Sequence, residues 1–261
     1  MSPLPDSMLD KLLAFAVDAA QEAGGVTLKY FRQHLEIEEK ADHSPVTVAD
    51  RETEKLLRRR IEEKYPGHGI TGEEFGAERP GAGLRWLLDP IDGTQSFIRG
   101  VPLYGVMLGL EQDGQPVLGV VHFPALGETI AARRGGGAKC NGKPARVSQK
   151  SSLAEATLLL TDARGFTAAG RQEAFERVRA VAKFERSWGD CYGHALVATG
   201  RAEVMLDPGL SEWDACALLP ILEEAGGRFT DWSGQRTICG GCGISTNGAL
   251  HGEVMRLLRG V

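Results

Sequence analysis

The chain predicts a mixed α/β (α+β) fold, with an antiparallel meander sheet in its first half and a smaller α/β layer in its second. Three observations carry this expectation. Two amphipathic helical stretches open the sequence, four short apolar runs separated by turn residues follow between 84 and 133, and strand-like runs then alternate with helical ones. With 42% hydrophobic and 25% charged residues, the 261 positions suffice for one large domain or two joined subdomains.

Leu9, Leu12, Leu13, Ala16, Val17, Ala20, Ala23 and Tyr30 form an apolar stripe, so residues 8–31 read as a helix with Ser7 as its N-cap. A second helix, 49–65, turns Leu56, Leu57 and Ile61 inward and ends at Pro66-Gly67. RWLLD, YGVMLGL, PVLGVVHF and ETIAARR are the strands of the meander, with Asp113-Gly114 as a hairpin turn. The Gly-rich stretch 135–148 marks the expected boundary between an N-terminal unit, 1–145, and a C-terminal unit, 146–261. Beyond it come a strand (ATLLLTD), a helix over 168–183, a helix at CYGHALVATG and a short strand (AEVMLD). A last helix starts from Ser211 as N-cap and closes at Gly226-Gly227, and Pro220 should kink or restart it.

The 30 basic and 35 acidic side chains give a net charge of -5 without a long basic run, which argues against a nucleic-acid surface, whose affinity rests on neutralising phosphates. No run approaches the roughly 18 apolar residues that span a bilayer, and the first residues lack a signal-peptide layout. A cytoplasmic protein with no membrane partner is expected, and its five cysteines, an odd number, suit reduced thiols. Cys239 and Cys242 have CxxC spacing but no second such pair to complete a zinc site, so they read as part of a glycine-rich turn. His34, His43 and His68 read as surface residues, His194 as a packed helix residue, Trp188 as core, and Arg133-Arg134 as strand-end solvation.

Chemistry concentrates in WLLDPIDGTQSF, 86–97, where a hydrophobic strand runs straight into Asp89 and Asp92. Like charges at a semi-buried edge cost free energy unless a cation removes the repulsion. Pro90 fixes a turn in which Asp89, Asp92 and the Ile91 carbonyl converge as hard oxygen ligands suited to Mg²⁺. Gly93-Thr94 then opens a helix whose first N–H groups face an anion. An ordinary Asp-Gly turn is the plain alternative. Glu73 lies in the Gly-bracketed turn GITGEEFG, Asp50 in the first turn of the second helix, and Asp214 in the first turn of the helix at SEWDACA. Each alone is an ordinary solvated or helix-start acid. Together with Asp89 and Asp92 they form the acid set of a two- or three-metal phosphoryl-transfer site.

In order and spacing, GEE, WLLDPIDGTQSF and EWDACA followed by EEAGG resemble the inositol monophosphatase-like family of Mg²⁺-dependent, Li⁺-sensitive phosphatases, from VTVAD near 48 to TNGALH near 250. The resemblance implies a layered αβαβα fold, a homodimer, two or three Mg²⁺ per site, and hydrolysis of a small phosphate monoester by in-line attack of a metal-activated water. It makes Glu73, Asp89, the Ile91 carbonyl, Asp92 and Asp214 metal ligands, and has Asp50 hold a metal through water. It further has Thr94 with Glu73 orient the attacking water, and the N–H groups of Gly93 and Thr94 hold phosphate.

RSWGDCYGHALVATGRAEVMLD and TNGALHGEV are similar to the histidinol-phosphate phosphatase branch of that family. Asp190 and Asp207, with Asp92, would then bind substrate, because added carboxylates suit the ammonium and imidazole of L-histidinol phosphate better than a neutral cyclitol. Asp190 could instead cap the helix that follows it. L-Histidinol-phosphate hydrolysis is the expectation, inositol-1-phosphate hydrolysis the alternative, and a non-catalytic sugar-phosphate-binding protein the more distant one. Whether the segment 73–83 is a lid stays open at this level.

Overall fold

The computed structural model describes residues 2–34, 37–39 and 45–260, so the expectation for His43 falls outside the described residues. Helix α1 (Asp6–Tyr30) begins two residues earlier than expected, with Pro5 as N-cap and Ser7 inside the first turn. Pro5, with φ -69° and ψ 152°, already has the extended conformation an N-cap needs. Strands β1 (Glu38–Glu39) and β2 (Pro45–Val46) pair antiparallel before helix α2 (Val48–Lys64), which Thr47 caps.

Strands β3 (Gly69–Gly72), β4 (Gly76–Glu78) and β5 (Leu84–Asp92) are followed by the short helix α3 (Thr94–Ile98). Then come β6 (Gly105–Gln112), β7 (Gln115–Phe123), β8 (Glu128–Arg133), β9 (Gly137–Cys140) and β10 (Lys143–Pro144). They form one sheet in the order β10-β9-β8-β7-β6-β5-β3-β4. From β5 to β8 it is the expected meander, which β9 and β10 extend antiparallel into the Gly-rich stretch 135–148, and Asp113-Gly114, both at positive φ, makes the two-residue turn between β6 and β7. Strand β3 departs from the antiparallel expectation by running parallel to β5. Because β4 folds back antiparallel on one side of β3, the next strand, on its other side, again runs in the direction of β3.

The second half contributes β11 (Thr157–Leu160), α4 (Ala163–Ala168), α5 (Gln172–Arg179), β12 (Phe184–Arg186), α6 (Asp190–Ala198), β13 (Val204–Asp207), α7 (Glu212–Glu224), β14 (Arg228–Thr230), β15 (Gly243–Thr246) and α8 (His251–Arg259). Its sheet has the mixed order β12-β11-β13-β15-β14. The single helix expected over 168–183 is interrupted at Gly170, whose φ of 67° terminates α4 before α5 starts. Helix α7 runs through Pro220 without a restart. Packing on both of its faces outweighs the local penalty of a missing N–H donor.

The period-two alternation of the strands builds the layers. Trp86 and Leu88 of β5 and Val106 and Leu108 of β6 join α1 and α2, whereas Leu87 and Met107 face α6 and α7. In the second sheet Leu159 and Met205 face those same two helices, while Leu158, Leu160, Val204 and Leu206 face α5 and α8. The result is an αβαβα stack whose central helical layer is shared by both sheets. Gly109 and Gly119, paired across β6 and β7, let α7 lie against the strand backbones.

Several surface expectations change. Trp188 is 45% exposed and not core. Arg133 is nearly buried between Asp6 and Asp10 of α1, tying that helix to β8 and not merely solvating a strand end. His68 is half-buried, stacked on Tyr65 and accepting the indole N–H of Trp86 at its Nδ1. His194 is buried as expected, and Cys239 and Cys242 lie as free thiols in the connection between β14 and β15. Among the described residues no helix is long and apolar enough to cross a membrane.

Candidate active site

Asp89 and Asp92 stand three residues apart, a separation that in a regular strand sends side chains to opposite faces. The register of β5 on β6 shifts between them: Asp89 opposes Met107 and Asp92 opposes Gly105, so β5 carries one extra residue at Pro90-Ile91. That bulge, not the expected tight turn, brings both carboxylates to one side. Pro90 suits it because proline has no N–H to offer a ladder, and Asp89 Oδ1 accepts the N–H of Ile91 at 3.0 Å.

Asp214 arrives from the other half of the chain. It is the third residue of α7, and its carboxylate accepts the N–H of the N-cap Ser211 at 2.8 Å. Asp89, Asp92 and Asp214 offer oxygen atoms that all lie within 4.8 Å of one another. Asp50 repeats the local logic of Asp214 at the start of α2, accepting the N–H (2.8 Å) and the hydroxyl (2.7 Å) of Thr47. Glu73 follows β3, with its N–H bonded to the Leu88 carbonyl beside Asp89. Neither Glu73 nor Asp50 belongs to the tight triple.

The electrostatics are those of acids crowded out of water. Burial raises the Asp89 carboxyl well above its ordinary range, and the charges of Glu73, Asp92 and Asp214 push the same way. Burial and Asp214 raise Asp92; burial raises Asp214 against the opposing bond from Ser211. Burial lifts Asp50 to about 6, although the bonds from Thr47 pull it back. Hard carboxylate oxygens so placed fit a divalent cation such as Mg²⁺, whose charge removes the repulsion they otherwise carry.

Gly93, at φ 83°, caps α3, and a Cβ there would stand 3.0 Å from Asp190 Oδ2. The Thr94 hydroxyl donates to the Ile91 carbonyl at 3.0 Å. From the second half, the Cys191 N–H at the start of α6 donates to Asp92 Oδ1 at 2.7 Å. Asp190 does not cap α6: Gly189 is the N-cap, no side-chain cap bond forms, and Asp190 is the first helical residue with a left-handed φ of 51°. Its own N–H donates to Thr161 Oγ1 (2.8 Å), whose hydroxyl donates to Asp207 Oδ2 (2.8 Å). Asp190 lines a cleft of about 360 Å³ together with Gln95, Ser96, Arg99, Thr161 and Asp162. Asp207 does not line it; it is buried and also accepts the N–H of Gly209.

Two residues that support this site are not visible in the sequence reading. Thr161 links Asp190 to Asp207, with only its place at a strand end as a signal. Glu54, fully buried in α2, accepts the N–H groups of Glu74 and Phe75 and pairs with Arg58 at 2.7 Å. Arg58 reaches on to Glu78 and the Gly76 carbonyl, so the turn after Glu73 is anchored to α2. The helical i,i+4 spacing of Glu54 and Arg58 was the available signal. Larger grooves of about 590 and 690 Å³ beside α1 contain none of these groups.

The sequence pattern of the inositol monophosphatase family matches residues 8–260. A histidinol-phosphatase of Chlorobaculum parvum is 47% identical over 91% of this chain and 93% of its own. One from Mycobacterium tuberculosis is 38% identical over 95% of this chain and 97% of its own. Among solved structures, an inositol monophosphatase from Zymomonas mobilis superposes with a TM-score of 0.86 at 32% identity, covering 96% of this chain and 98% of that one.

Proposed function

The chain belongs to the inositol monophosphatase family and is a phosphatase, and from that premise we propose that it hydrolyses L-histidinol phosphate to L-histidinol and phosphate with Mg²⁺ bound at Asp89, Asp92, Asp214, Glu73 and the Ile91 carbonyl. The observation that carries the proposal is the convergence of Asp89, Asp92 and Asp214 within 4.8 Å, beside a cleft that Asp190 enters from the other half of the chain. Divalent cations held there supply charge neutralisation for the phosphate and a lowered pKa for water.

The remaining work falls to the chain itself. The Glu73 carboxylate accepts the proton of the attacking water, and Thr94, held by its bond to the Ile91 carbonyl, orients that water for in-line displacement. The N–H groups of Gly93 and Thr94 hold the phosphate, with Gly93 leaving the space beside Asp190 that a side chain would fill. Asp50, engaged by Thr47 and outside the tight triple, would hold a cation through water. Asp190 receives the substrate ammonium; burial, with the charges of Asp92 and Asp207 added, raises its carboxyl to about 8, so a cation is the partner that favours its charged form. Asp207, expected as a second substrate contact, acts in this proposal through Thr161. Two or three Mg²⁺ per site, a homodimer and a cytoplasmic location complete it.

Support for the substrate comes from Asp190 being free of a capping role and from the histidinol-phosphatases among the relatives at 47% and 38% identity. Inositol-1-phosphate hydrolysis is the second reading, favoured by the likeness to the Zymomonas enzyme. Phosphate release from the two esters in Mg²⁺ decides between them. We expect kcat/KM to favour histidinol phosphate at least tenfold; equal or better turnover of inositol phosphate refutes the assignment. Asp190→Asn should raise KM for histidinol phosphate by roughly 10- to 100-fold, the worth of a charge-assisted bond, and leave glycerol 2-phosphate little changed.

A further inference from the structure

Away from the acid cluster lies a charged group that the proposed chemistry does not use. The side chain of Arg85, near the start of β5, is 18% exposed and stands between two carboxylates. Its Nε donates to Glu111 Oε1 on the neighbouring strand β6 at 2.8 Å. Its terminal nitrogens donate to both oxygens of Glu212, the first residue of α7, at 3.3 and 3.0 Å. One of them also donates to the Thr71 hydroxyl in β3 at 3.1 Å. A guanidinium presents its N–H donors in a rigid plane, so such a set of contacts fixes direction as well as distance.

Two of these contacts, Thr71 and Glu212, stand a short way along the chain from an acid of the site. Thr71 precedes Glu73 by two residues and Glu212 precedes Asp214 by two. Arg85 precedes Asp89 by four on one strand, an even separation that places both on the same face. That face is the one against α7, because Leu87 between them packs in the α7 core. Roughly 13 Å of strand separates the two residues, so Arg85 acts on the elements and not on the acids themselves.

We propose that Arg85 is a positioning residue for the cation site: its bonds to Thr71 and Glu212 set the end of β3 and the start of α7 against β5, holding Glu73, Asp89 and Asp214 at one spacing before a cation binds. This rests on the cation-binding role proposed above for those acids. Wherever those acids are ionised together, their repulsion opposes holding α7 against β5. Without the tie, a cation has to draw the elements together as well as coordinate them, and its affinity falls while chemistry at saturation persists.

Glu212→Gln keeps the size of the side chain and the Arg85–Glu111 pair but removes the charge that anchors α7. Glu111→Gln is the control, since it weakens the same guanidinium from a strand bearing none of the site's acids. Calorimetric Mg²⁺ titration, thermal unfolding in EDTA and phosphate release at saturating Mg²⁺ are measured for each. We expect Glu212→Gln to weaken Mg²⁺ binding roughly tenfold, the low end for residues behind a metal ligand, with kcat at saturating Mg²⁺ within about twofold of wild type. Glu111→Gln should lower the unfolding temperature in EDTA without moving Mg²⁺ affinity. Should Glu212→Gln be unfolded in EDTA, Thr71→Val, which cuts the link to β3 at constant shape, carries the same expectation. If the variants shift Mg²⁺ affinity alike, or none shifts it, Arg85 is a structural ion pair and the proposal falls. A wild-type protein that binds no Mg²⁺ overturns the cation site itself, whatever the variants do.

Discussion

Replacing Gly119 by alanine tests whether the position of α7 governs the cation site. Gly119 is paired with Gly109 beneath α7, and a Cβ at 119 would stand 2.0 Å from the Ala217 carbonyl oxygen and 2.7 Å from its Cα. Both atoms are backbone, so no rotamer relieves the contact. Ordinary contact begins at 3.4 Å, so α7 must withdraw from the strands by more than an ångström. Asp214 lies three residues from Ala217 in the same helix, whereas metal–ligand distances tolerate only about 0.2 Å. The overpacking should cost about 3 kcal/mol, the upper part of the usual range because the obstacle is main chain, equivalent to roughly 6–12 °C in Tm. Mg²⁺ half-saturation should rise at least about tenfold. Thermal unfolding in EDTA and calorimetric Mg²⁺ titration read the two effects separately. Gly25→Ala, where an added Cβ meets nothing within 4 Å, is the control and should be neutral or slightly stabilising. A Gly119→Ala protein with wild-type Tm and wild-type Mg²⁺ affinity would show that α7 is not held at this contact.

Other outcomes are expected as well. EDTA should abolish phosphate release and Mg²⁺ restore it; Mg²⁺ at about a hundred times its Kd should add about 2.7 kcal/mol of stability, roughly 5–10 °C, and an unchanged Tm would contradict a metal site in the folded chain. His194 is fully buried, bonded through Nδ1 to Ser245 at 2.7 Å, and held down to about 3 by burial. A folded pKa below the unfolded value of about 6.5 means that stability is full above pH 6.5 and is lost as pH falls toward 3, at up to about 1.4 kcal/mol per unit. The stability gap between wild type and His194→Asn, followed by urea unfolding from pH 7.5 to 4.5, should therefore narrow with acid; parallel curves would disprove this origin. Glu54→Gln should cost roughly 3–5 kcal/mol, as for one partner removed from a buried pair, and should increase hydrogen exchange at Glu74 and Phe75, whose N–H groups it holds. Unchanged exchange there would mean the turn is anchored by other contacts.

Much of the site was legible because its signals are local. The run WLLDPIDGT places two acids after a buried strand, and the family resemblance supplies their companions. Asp50 and Asp214 sit at the third position of capped helices, Thr47 and Ser211 being the caps. That same local adequacy made them look like ordinary helix-start acids, since a capping box explains them without any ligand. The alternation of Trp86, Leu87 and Leu88 announced a sheet covered on both faces, but not which helix covers each.

The sequence by itself determined the candidate acids and the succession of helices and meander, because these depend on residue type and short-range periodicity, and it pointed to a phosphatase through its family resemblance. Only the tertiary structure decided that Asp89 and Asp92 share a side, since the extra residue on β5 exists only against β6. It also decided that Pro220 leaves α7 whole, that Trp188 lies outside the core, and that Asp190 enters the cleft with a left-handed backbone and leaves the cap to Gly189. Local propensities of about 1–3 kcal/mol give way where two sheets close on one helical layer. Arg85 and Glu54 gain their partners there from residues distant in sequence. Long-range contacts of that kind leave no periodic trace in a single chain, and they are what bring the acids to one spacing.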